Sequence, residues 1–181
     1  CEDAKYVLCI IHGIGEHAGR YQRIADFLEQ RKTAVLSMDL RGHGISKGKR
    51  GDTAPRTEVL ADVDALIEYA EEMYPGLPVI LMGHSMGGNI CLDYRCRGRL
   101  AAVPAKYIVT SPWVKLVKDY PAPVVTALRA ASKIMPTFLM SQGFPDESLG
   151  NPDYVKPYSS SPLVHDKISL RCAAEGFDIG N

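Results

Sequence analysis

The sequence predicts an α/β fold in which a parallel sheet carries helices on both faces. Short apolar runs alternate with segments of helical periodicity from Tyr6 to Thr110. Because a strand, a helix and a second parallel strand connect through a right-handed crossover that covers one face of the sheet, this alternation is typical of a parallel sheet between helices. A chain of 181 residues is long enough to bury about 70% of its unfolded-state surface in one core.

The first strand and the first helix follow from two short patterns. Residues 6–11 are continuously apolar, as expected for a strand that is buried on both faces. Residues 20–32 place their apolar side chains on one helical face and end in two cations, which suit the negative end of the helix dipole. The apolar set is Tyr21, Ile24, Phe27 and Leu28, and the cations are Arg31 and Lys32.

A second strand over residues 34–38 leads through a long glycine-rich loop to the clearest amphipathic helix of the chain. Thr57 is its predicted N-cap, and the pair Pro75-Gly76 ends it. Apolar residues recur at spacings of four and three, and the acidic residues between them are expected to point outward. The inward set is Val59, Val63, Leu66, Ala70 and Met73, and the outward set is Asp62, Asp64, Glu68, Glu71 and Glu72.

The third strand, residues 79–82, ends in a Gly-x-Ser-x-Gly pattern centred on Ser85. In a nucleophile elbow, a serine occupies a sharp turn between a strand and a helix and has strained backbone angles. Gly83 and Gly87 fit this turn because a side chain at either position would collide with the neighbouring strand or helix. The following helix is predicted to run to Arg97, and residues 106–110 form a fourth strand.

Two loops are expected to meet at the carboxyl edge of the sheet if the first strand lies between the second and the third. Ligands of parallel sheets bind at this edge, where the strand order reverses. The loop that begins at His12 and the turn at Ser85 would flank that point. The backbone N–H groups of Ile14 and Met86 would then donate to one oxygen, as an oxyanion hole requires.

Three motifs accompany these loops. They are His-Gly-Ile-Gly-Glu-His-Ala-Gly-Arg-Tyr at residues 12–21, Asp-Leu-Arg-Gly-His-Gly-Ile-Ser at 39–46 and Gly-His-Ser-Met-Gly-Gly at 83–88. In this order and spacing they resemble the monoacylglycerol lipase and lysophospholipase branch of the α/β-hydrolases, over roughly residues 6–171. The resemblance implies an α/β-hydrolase fold, Ser85 as nucleophile and the Ile14 and Met86 amides as oxyanion hole. It also implies that His12 and His43 shape loops; His84, beside the nucleophile, is interpreted as structural.

Residues 113–170 break the alternation and are predicted to form a helical cap, or lid, over a lipid-binding cleft. Residues 124–135 are mostly apolar and helical; a buried core helix has the same composition, but the position after the fourth strand favours a lid. Residues 161–169 resemble the end of the family's cap insertion, although many members have Asp where Ser161 stands. The predicted domains are therefore a core over 1–112, the cap over 113–170 and a divergent tail over 171–181.

A complete catalytic triad is not evident. A serine needs a histidine to take its proton and a carboxylate to orient that histidine, in the chain order Ser, acid, His. Asp146 or Asp153 with His165 has this order, but no strand is expected between Trp113 and His165 to place the acid. The resemblance implies that acid and base follow two further strands. We therefore expect a truncated or frame-shifted chain whose sheet is incomplete and whose tail replaces a long amphipathic helix.

Composition narrows the classes of partner. Lysine plus arginine (21) balance aspartate plus glutamate (21), so the net charge does not indicate binding to nucleic acid or to acidic lipid. No spacing of ligand-type residues suggests a metal, and no cofactor is predicted. The five cysteines lack a C-x-x-C pair and are interpreted as reduced thiols, which favours the cytoplasm. A membrane-spanning helix needs about 20 consecutive apolar residues. No apolar stretch of this sequence approaches that length.

The predicted function is hydrolysis of an acyl ester of glycerol or lysophospholipid through a Ser85 acyl-enzyme, with the chain as given inactive for lack of the triad acid and histidine. The expected partner is a small lipid or acyl-ester substrate, and the apolar cap would allow transient contact with a membrane surface. Two alternatives stay open: a non-catalytic remnant or binding module, and a peptidase or carboxylesterase on the same fold.

Overall fold

Four parallel strands form the centre of the structure, a computed structural model that describes residues 1, 3–114, 120–143, 151, 153 and 160–179. The strands lie in the order β2-β1-β3-β4, so the first strand does lie between the second and the third, as the sequence argument required. All of their pairings are parallel. Their bounds are β1 (Tyr6–Ile11), β2 (Thr33–Met38), β3 (Val79–His84) and β4 (Lys106–Thr110).

Helices cover both faces of this sheet, which confirms the predicted fold class. A short 3-10 helix (Ala18–Tyr21) and α1 (Gln22–Glu29) lie on one face, and α2 (Arg56–Met73) and α3 (Met86–Arg97) pack on the other. The strand β1 is buried on both sides because alternate residues point into two cores. Val7, Cys9 and Ile11 enter the larger core with α2 and α3, whereas Leu8 and Ile10 enter the smaller core with Tyr21.

Several predicted details of the helices are wrong. The helix α2 begins at Arg56 after Pro55, and no side chain caps it, so Thr57 is not the N-cap. Asp64 is not turned outward but buried, because it accepts a hydrogen bond from the hydroxyl of Tyr94. Met73 is 51% exposed, since it lies in the last turn beyond the sheet. The helix α1 ends at Glu29, before the two cations.

The carboxyl-terminal part of the chain forms more regular structure than the sequence indicated. It contains α4 (Ala122–Ile134), β5 (Leu139–Ser141), β6 (Lys167–Ser169) and α5 (Leu170–Ile179). A short strand therefore does lie between Trp113 and His165; it pairs antiparallel with β6. Residues 171–179 of the predicted divergent tail are helical, and Cys172, Ala173 and Ala174 in this part of α5 are buried. Which residues constitute a cap stays a prediction.

Two charged pairs join this part of the chain to the core. The largely buried carboxylate of Asp52 accepts hydrogen bonds from Ser169 Oγ at 2.8 Å and from Arg171 Nη2 at 2.5 Å. Ser169 also donates its backbone N–H to Gly51 at 2.8 Å. Nearby, Glu175 Oε1 accepts the backbone N–H of Arg56 at 3.0 Å. Together these contacts fix β6 and α5 against the loop that precedes α2.

We predict that Asp52→Ala destabilises the fold by about 3 kcal/mol, because it leaves the Arg171 guanidinium partly buried without its carboxylate. The matched control is Asp62→Ala, which removes the carboxylate partner of Arg41 on the surface and should cost less than about 1 kcal/mol. Urea unfolding of both variants measures the difference. Equal losses of stability would contradict the role assigned to Asp52.

Candidate active site

Ser85 lies at a sharp turn between β3 and α3, with backbone angles of φ 53° and ψ −116°. A positive φ is costly for a residue with a Cβ and persists only where the surroundings enforce it. Here the Ser85 N–H donates to the carbonyl of Thr110 at 2.9 Å, and the Ser85 carbonyl accepts the N–H of Asn89 at 3.0 Å. The backbone is thus held from both sides, and the predicted elbow is present.

The two glycines of the motif allow α3 to approach the sheet. A Cβ on Gly83 would collide with the carbonyl of Gly87, and a Cβ on Gly87 would collide with the carbonyl of Ile11. These obstacles are backbone atoms, which cannot rotate away. The steric reason inferred from the sequence is therefore confirmed: β1, β3 and α3 are in direct backbone contact below Ser85.

The loop after β1 lies beside the nucleophile. Ile11 is level with Gly83 in the β1–β3 register, and a Cβ on Gly13 would lie 3.2 Å from the Cβ of Ser85. Met86 is the first residue of α3 and has no intrahelical acceptor for its N–H. Within the described part of the chain, no acceptor pairs with the Ile14 N–H. The two amides are thus available, and their convergence on one oxygen stays a prediction.

Asp39 connects this loop to the next one, a role that the sequence reasoning missed. Its Oδ1 accepts the N–H of Ala18 at 2.6 Å, and its Oδ2 accepts the N–H of Ile45 at 2.8 Å. Its backbone carbonyl accepts the hydroxyl of Ser46 at 2.7 Å. An acidic residue directly after a strand and before a glycine-rich loop was the available signal.

His12 is fully buried and uses both ring nitrogens for structure. Its Nδ1 lies 2.7 Å from the carbonyl of Gly13, to which it must donate, and its Nε2 accepts the N–H of Leu40 at 3.0 Å. Burial lowers the pKa of this imidazole, so the neutral ring is the stable form. With neither nitrogen available, His12 shapes the two loops, as the resemblance implied.

His43 and His165 pack against each other with ring centroids 4.8 Å apart. His43 is fully buried, its Nδ1 lies 2.9 Å from the carbonyl of Arg41, and burial lowers its pKa to about 3. The His165 Nδ1 accepts the N–H of Lys167 at 3.2 Å, and the His165 N–H donates to the carbonyl of Gly15 at 3.1 Å. His165 thereby holds the loop that carries Ile14.

Ser85 has no histidine partner among the residues described. All five histidines of the chain lie within the described ranges, and none hydrogen-bonds the Ser85 hydroxyl. His84 instead contacts Thr110 Oγ1 at 2.9 Å, which supports its structural interpretation. Of the two acids that the sequence could pair with His165, Asp146 lies outside the described residues, and the Asp153 N–H donates to Asn151 Oδ1. The geometry therefore shows an elbow and a partner loop but no base in place.

No metal centre accompanies this site in the residues described: they include no group of three or more histidine, cysteine, aspartate or glutamate side chains placed to hold an ion. None of the helices in the described ranges combines the length and the hydropathy that a membrane span requires.

Known proteins share these motifs and this architecture. Residues 2–181 match the family described as "Serine aminopeptidase, S33". The monoacylglycerol lipase of Mycolicibacterium smegmatis is 33% identical over 167 residues, which are 90% of this chain and 58% of that protein. The human monoglyceride lipase is 34% identical over 166 residues, 88% of this chain and 52% of that protein.

Solved structures agree with the sequence relatives. The crystal structure of Paleococcus ferrophilus monoacylglycerol lipase superposes with a TM-score of 0.84 at 32% identity, covering 96% of this chain and 65% of that one. A soluble variant of the Saccharomyces cerevisiae monoglyceride lipase, solved with a substrate analogue, has a TM-score of 0.81 at 25% identity and covers 98% and 60%. The chain thus spans between half and two thirds of the length of these relatives.

We predict that Gly83→Ala destabilises the fold by about 3 kcal/mol, because the new methyl group meets backbone atoms that cannot move aside. Gly88→Ala is the matched control, since its Cβ would lie 3.2 Å from Val109 Cγ1 and 3.3 Å from the Gly83 carbonyl oxygen and Pro112 Cα, whereas a Cβ on Gly83 would overlap the Gly87 carbonyl oxygen. Alanine is also favoured over glycine in a helix interior by about 1 kcal/mol. Gly88→Ala should therefore cost much less stability than Gly83→Ala. Thermal and urea unfolding measure both, and a tolerated Gly83→Ala would contradict the packing.

We predict that His43 makes the fold less stable in acid. Because its pKa is lowered from 6.5 to about 3, the unfolded chain binds a proton below pH 6.5 that the folded chain does not. The contribution of neutral His43 to the free energy of unfolding is fully present above that pH and falls by about 1.4 kcal/mol for each pH unit below it. Urea unfolding from about pH 7.5 to pH 5 gives the free energy of unfolding of the wild type and of His43→Asn as a function of pH. Below pH 6.5 the slope of the variant should be smaller by the equivalent of one bound proton. Parallel curves would exclude this role.

Proposed function

This chain belongs to the serine aminopeptidase S33 family of α/β-hydrolases, and we propose that it acts in the hydrolysis of acyl esters of glycerol or lysophospholipid through Ser85. The observation that carries the proposal is the strained elbow, which holds Ser85 beside the Gly13 loop at the carboxyl edge of the sheet. A serine displayed in this way is the nucleophile of acyl transfer in this fold. The relatives named monoacylglycerol or monoglyceride lipase favour a glycerol ester.

The proposed reaction follows from these groups. Ser85 Oγ bonds to the ester carbonyl carbon and gives its proton to a general base, while the carbonyl oxygen becomes an oxyanion. The Ile14 and Met86 N–H groups donate to that oxygen, and the positive end of the α3 dipole favours its charge. The C–O bond to the glycerol oxygen then breaks, the base returns the proton to that oxygen, and water later cleaves the acyl-enzyme.

The surroundings of Met86 support its part in this reaction. Met86 is buried, and its sulfur lies 3.6 Å from the thiol of Cys172 on α5. On the other side, His165 holds Gly15, the neighbour of Ile14, through its backbone N–H. Residues 165–172, which include β6 and the start of α5, therefore contact the surroundings of both proposed oxyanion donors. Preorganised donors of this kind need no rearrangement as charge develops.

We assign the lid role to the region that contains α4. This helix exposes Val124 and Ile134, and its partner α5 carries Asp178, which pairs with Arg129 at 2.6 Å. Exposed apolar side chains on a lid suit a lipid substrate and transient contact with a membrane. The five cysteines are free thiols and three of them are buried, which fits a reducing compartment such as the cytoplasm.

A peptidase is the second candidate, because the family is described as a serine aminopeptidase family. The elbow would serve an amide as well as an ester, since both pass through a tetrahedral oxyanion. A binding module that lacks catalysis is the third, because no base contacts Ser85 in the described residues. Substrate choice and the presence of turnover distinguish the three.

We predict that the 181-residue chain has very little esterase activity, because loss of the histidine base costs a serine hydrolase on the order of 10⁶ in kcat. A chimera with the part of the Mycolicibacterium smegmatis lipase that lies beyond the matched region should hydrolyse a monoacylglycerol. Turnover of a monoacylglycerol, a lysophospholipid and an aminoacyl anilide, with labelling by a fluorophosphonate, measures both proteins.

Ser85→Ala in the chimera is the control and should abolish turnover and labelling. A chimera that cleaves only the anilide would favour the peptidase, and a folded chimera without any turnover would favour the binding module. Strong turnover by the chain alone, lost in Ser85→Ala, would show that the chain holds its own base. His165→Ala would then be the next variant to assay.

A further inference from the structure

The loop from Arg41 to Arg50, here called the basic loop, presents an apolar tip to solvent. It leaves the carboxyl end of β2 and so lies at the same edge of the sheet as Ser85. Ile45 at its tip is 84% exposed, more than any other large apolar side chain in the described part of the chain. An isoleucine gains stability when it leaves water, so an almost fully exposed one at this edge of the sheet is available for contact with an apolar phase.

The exposure of Ile45 is built into the loop. Its N–H donates to Asp39 Oδ2 at 2.8 Å, which fixes the backbone at the tip. The loop closes on itself where the Gly42 N–H donates to the carbonyl of Lys47 at 2.9 Å. The buried ring of His43 anchors the same turn in the core. A loop held at these points cannot fold Ile45 back onto the surface.

Three cations follow the tip. Lys47, Lys49 and Arg50 are all exposed, and none of them forms an ion pair with a carboxylate in the residues described. Arg41, at the start of the loop, is neutralised by Glu58 and Asp62 at 2.8 and 2.7 Å. Beside the Asp39 carboxylate, which accepts the Ile45 N–H, these three cations leave the tip with a net positive charge on a chain whose net charge is zero.

We propose that the basic loop docks the protein on an anionic lipid surface, with Ile45 inserted among the headgroups and the cations against acidic phosphates. Reversible attachment of this kind requires two weak signals, an apolar one and a basic one, and the loop combines both. A nucleic acid would engage the cations but leave Ile45 in water, so the apolar tip favours a membrane. Docking there turns the Ser85 edge toward the bilayer.

The inference rests on the proposed function only for the reason that such docking would be useful, namely access to a lipid substrate. Its test measures binding to vesicles and requires no turnover. The test is sedimentation of the 181-residue chain with vesicles of phosphatidylcholine alone or mixed equally with phosphatidylserine, at low and at about 0.15 M salt. Binding should require phosphatidylserine and weaken with salt. Because vesicle binding cleaves no ester, a failed esterase assay leaves the binding result unaffected. In the same way, failure to bind vesicles does not contradict the proposed esterase activity.

Four variants locate the surface. Ile45→Ser should weaken binding about tenfold, and Lys47→Gln with Lys49→Gln about 25-fold, since each lysine near an anionic membrane contributes about fivefold. Lys5→Gln with Lys106→Gln is the matched control: it removes the same charge at the amino ends of β1 and β4, the opposite edge of the sheet, and should change little. Circular dichroism confirms that each variant is folded.

The fourth variant, Ile134→Ser, tests a second strongly exposed apolar side chain, which is 81% exposed on α4. The proposal is overturned if binding ignores phosphatidylserine, if no variant of the basic loop weakens it, or if the Lys5 and Lys106 control weakens it equally. Loss of binding in Ile134→Ser alone would place the membrane contact on α4 instead. Absence of binding to either vesicle would also overturn it.

Discussion

The close backbone contact of α3 with β1 and β3 is the constraint on which the rest of this structure depends. It exists because neither Gly83 nor Gly87 has a Cβ, and it places the first turn of α3 directly above the ends of two buried strands. Ser85 has no alternative to its positive φ, since its N–H and its carbonyl are both bound. The same contact aligns the Met86 amide with the helix dipole, so steric packing and electrostatics favour the same site.

Around this contact, buried and half-buried polar groups at the carboxyl edge connect loops that are distant in sequence. Asp39 binds amides from two loops, and neutral His12 joins the end of β1 to the end of β2. Such buried groups stabilise only when each of them finds its partner, which makes the arrangement specific. The imidazoles of His43 and His165 connect this arrangement to the segment before β6 by ring packing, and the Nε2 of each ring is buried without a hydrogen-bond partner among the described residues.

Neutral composition conceals local charge in this chain. The Asp52–Arg171 pair is largely buried and fixes α5, whereas Lys47, Lys49 and Arg50 of the basic loop are exposed and form no ion pair with a carboxylate among the described residues. Paired, desolvated charges act within the fold, while unpaired exposed ones are available to a partner. Composition counts paired and unpaired charges alike. The net charge of zero therefore did not indicate a charged partner.

The sequence by itself determined the alternation of strands and helices, the elbow at Ser85 and the glycines that it needs, because these depend on periodicity and on contacts between near neighbours. It misplaced Asp64 and missed β5 and α5, whose partners lie far along the chain, and it missed that Asp39 joins its own loop to the one at Ala18. Only the tertiary structure decided that Asp64 binds Tyr94, that His12 and His165 hold loops, and that Ile45 stands exposed. Burial and hydrogen bonding between distant segments leave no local pattern, so only the folded chain reveals them.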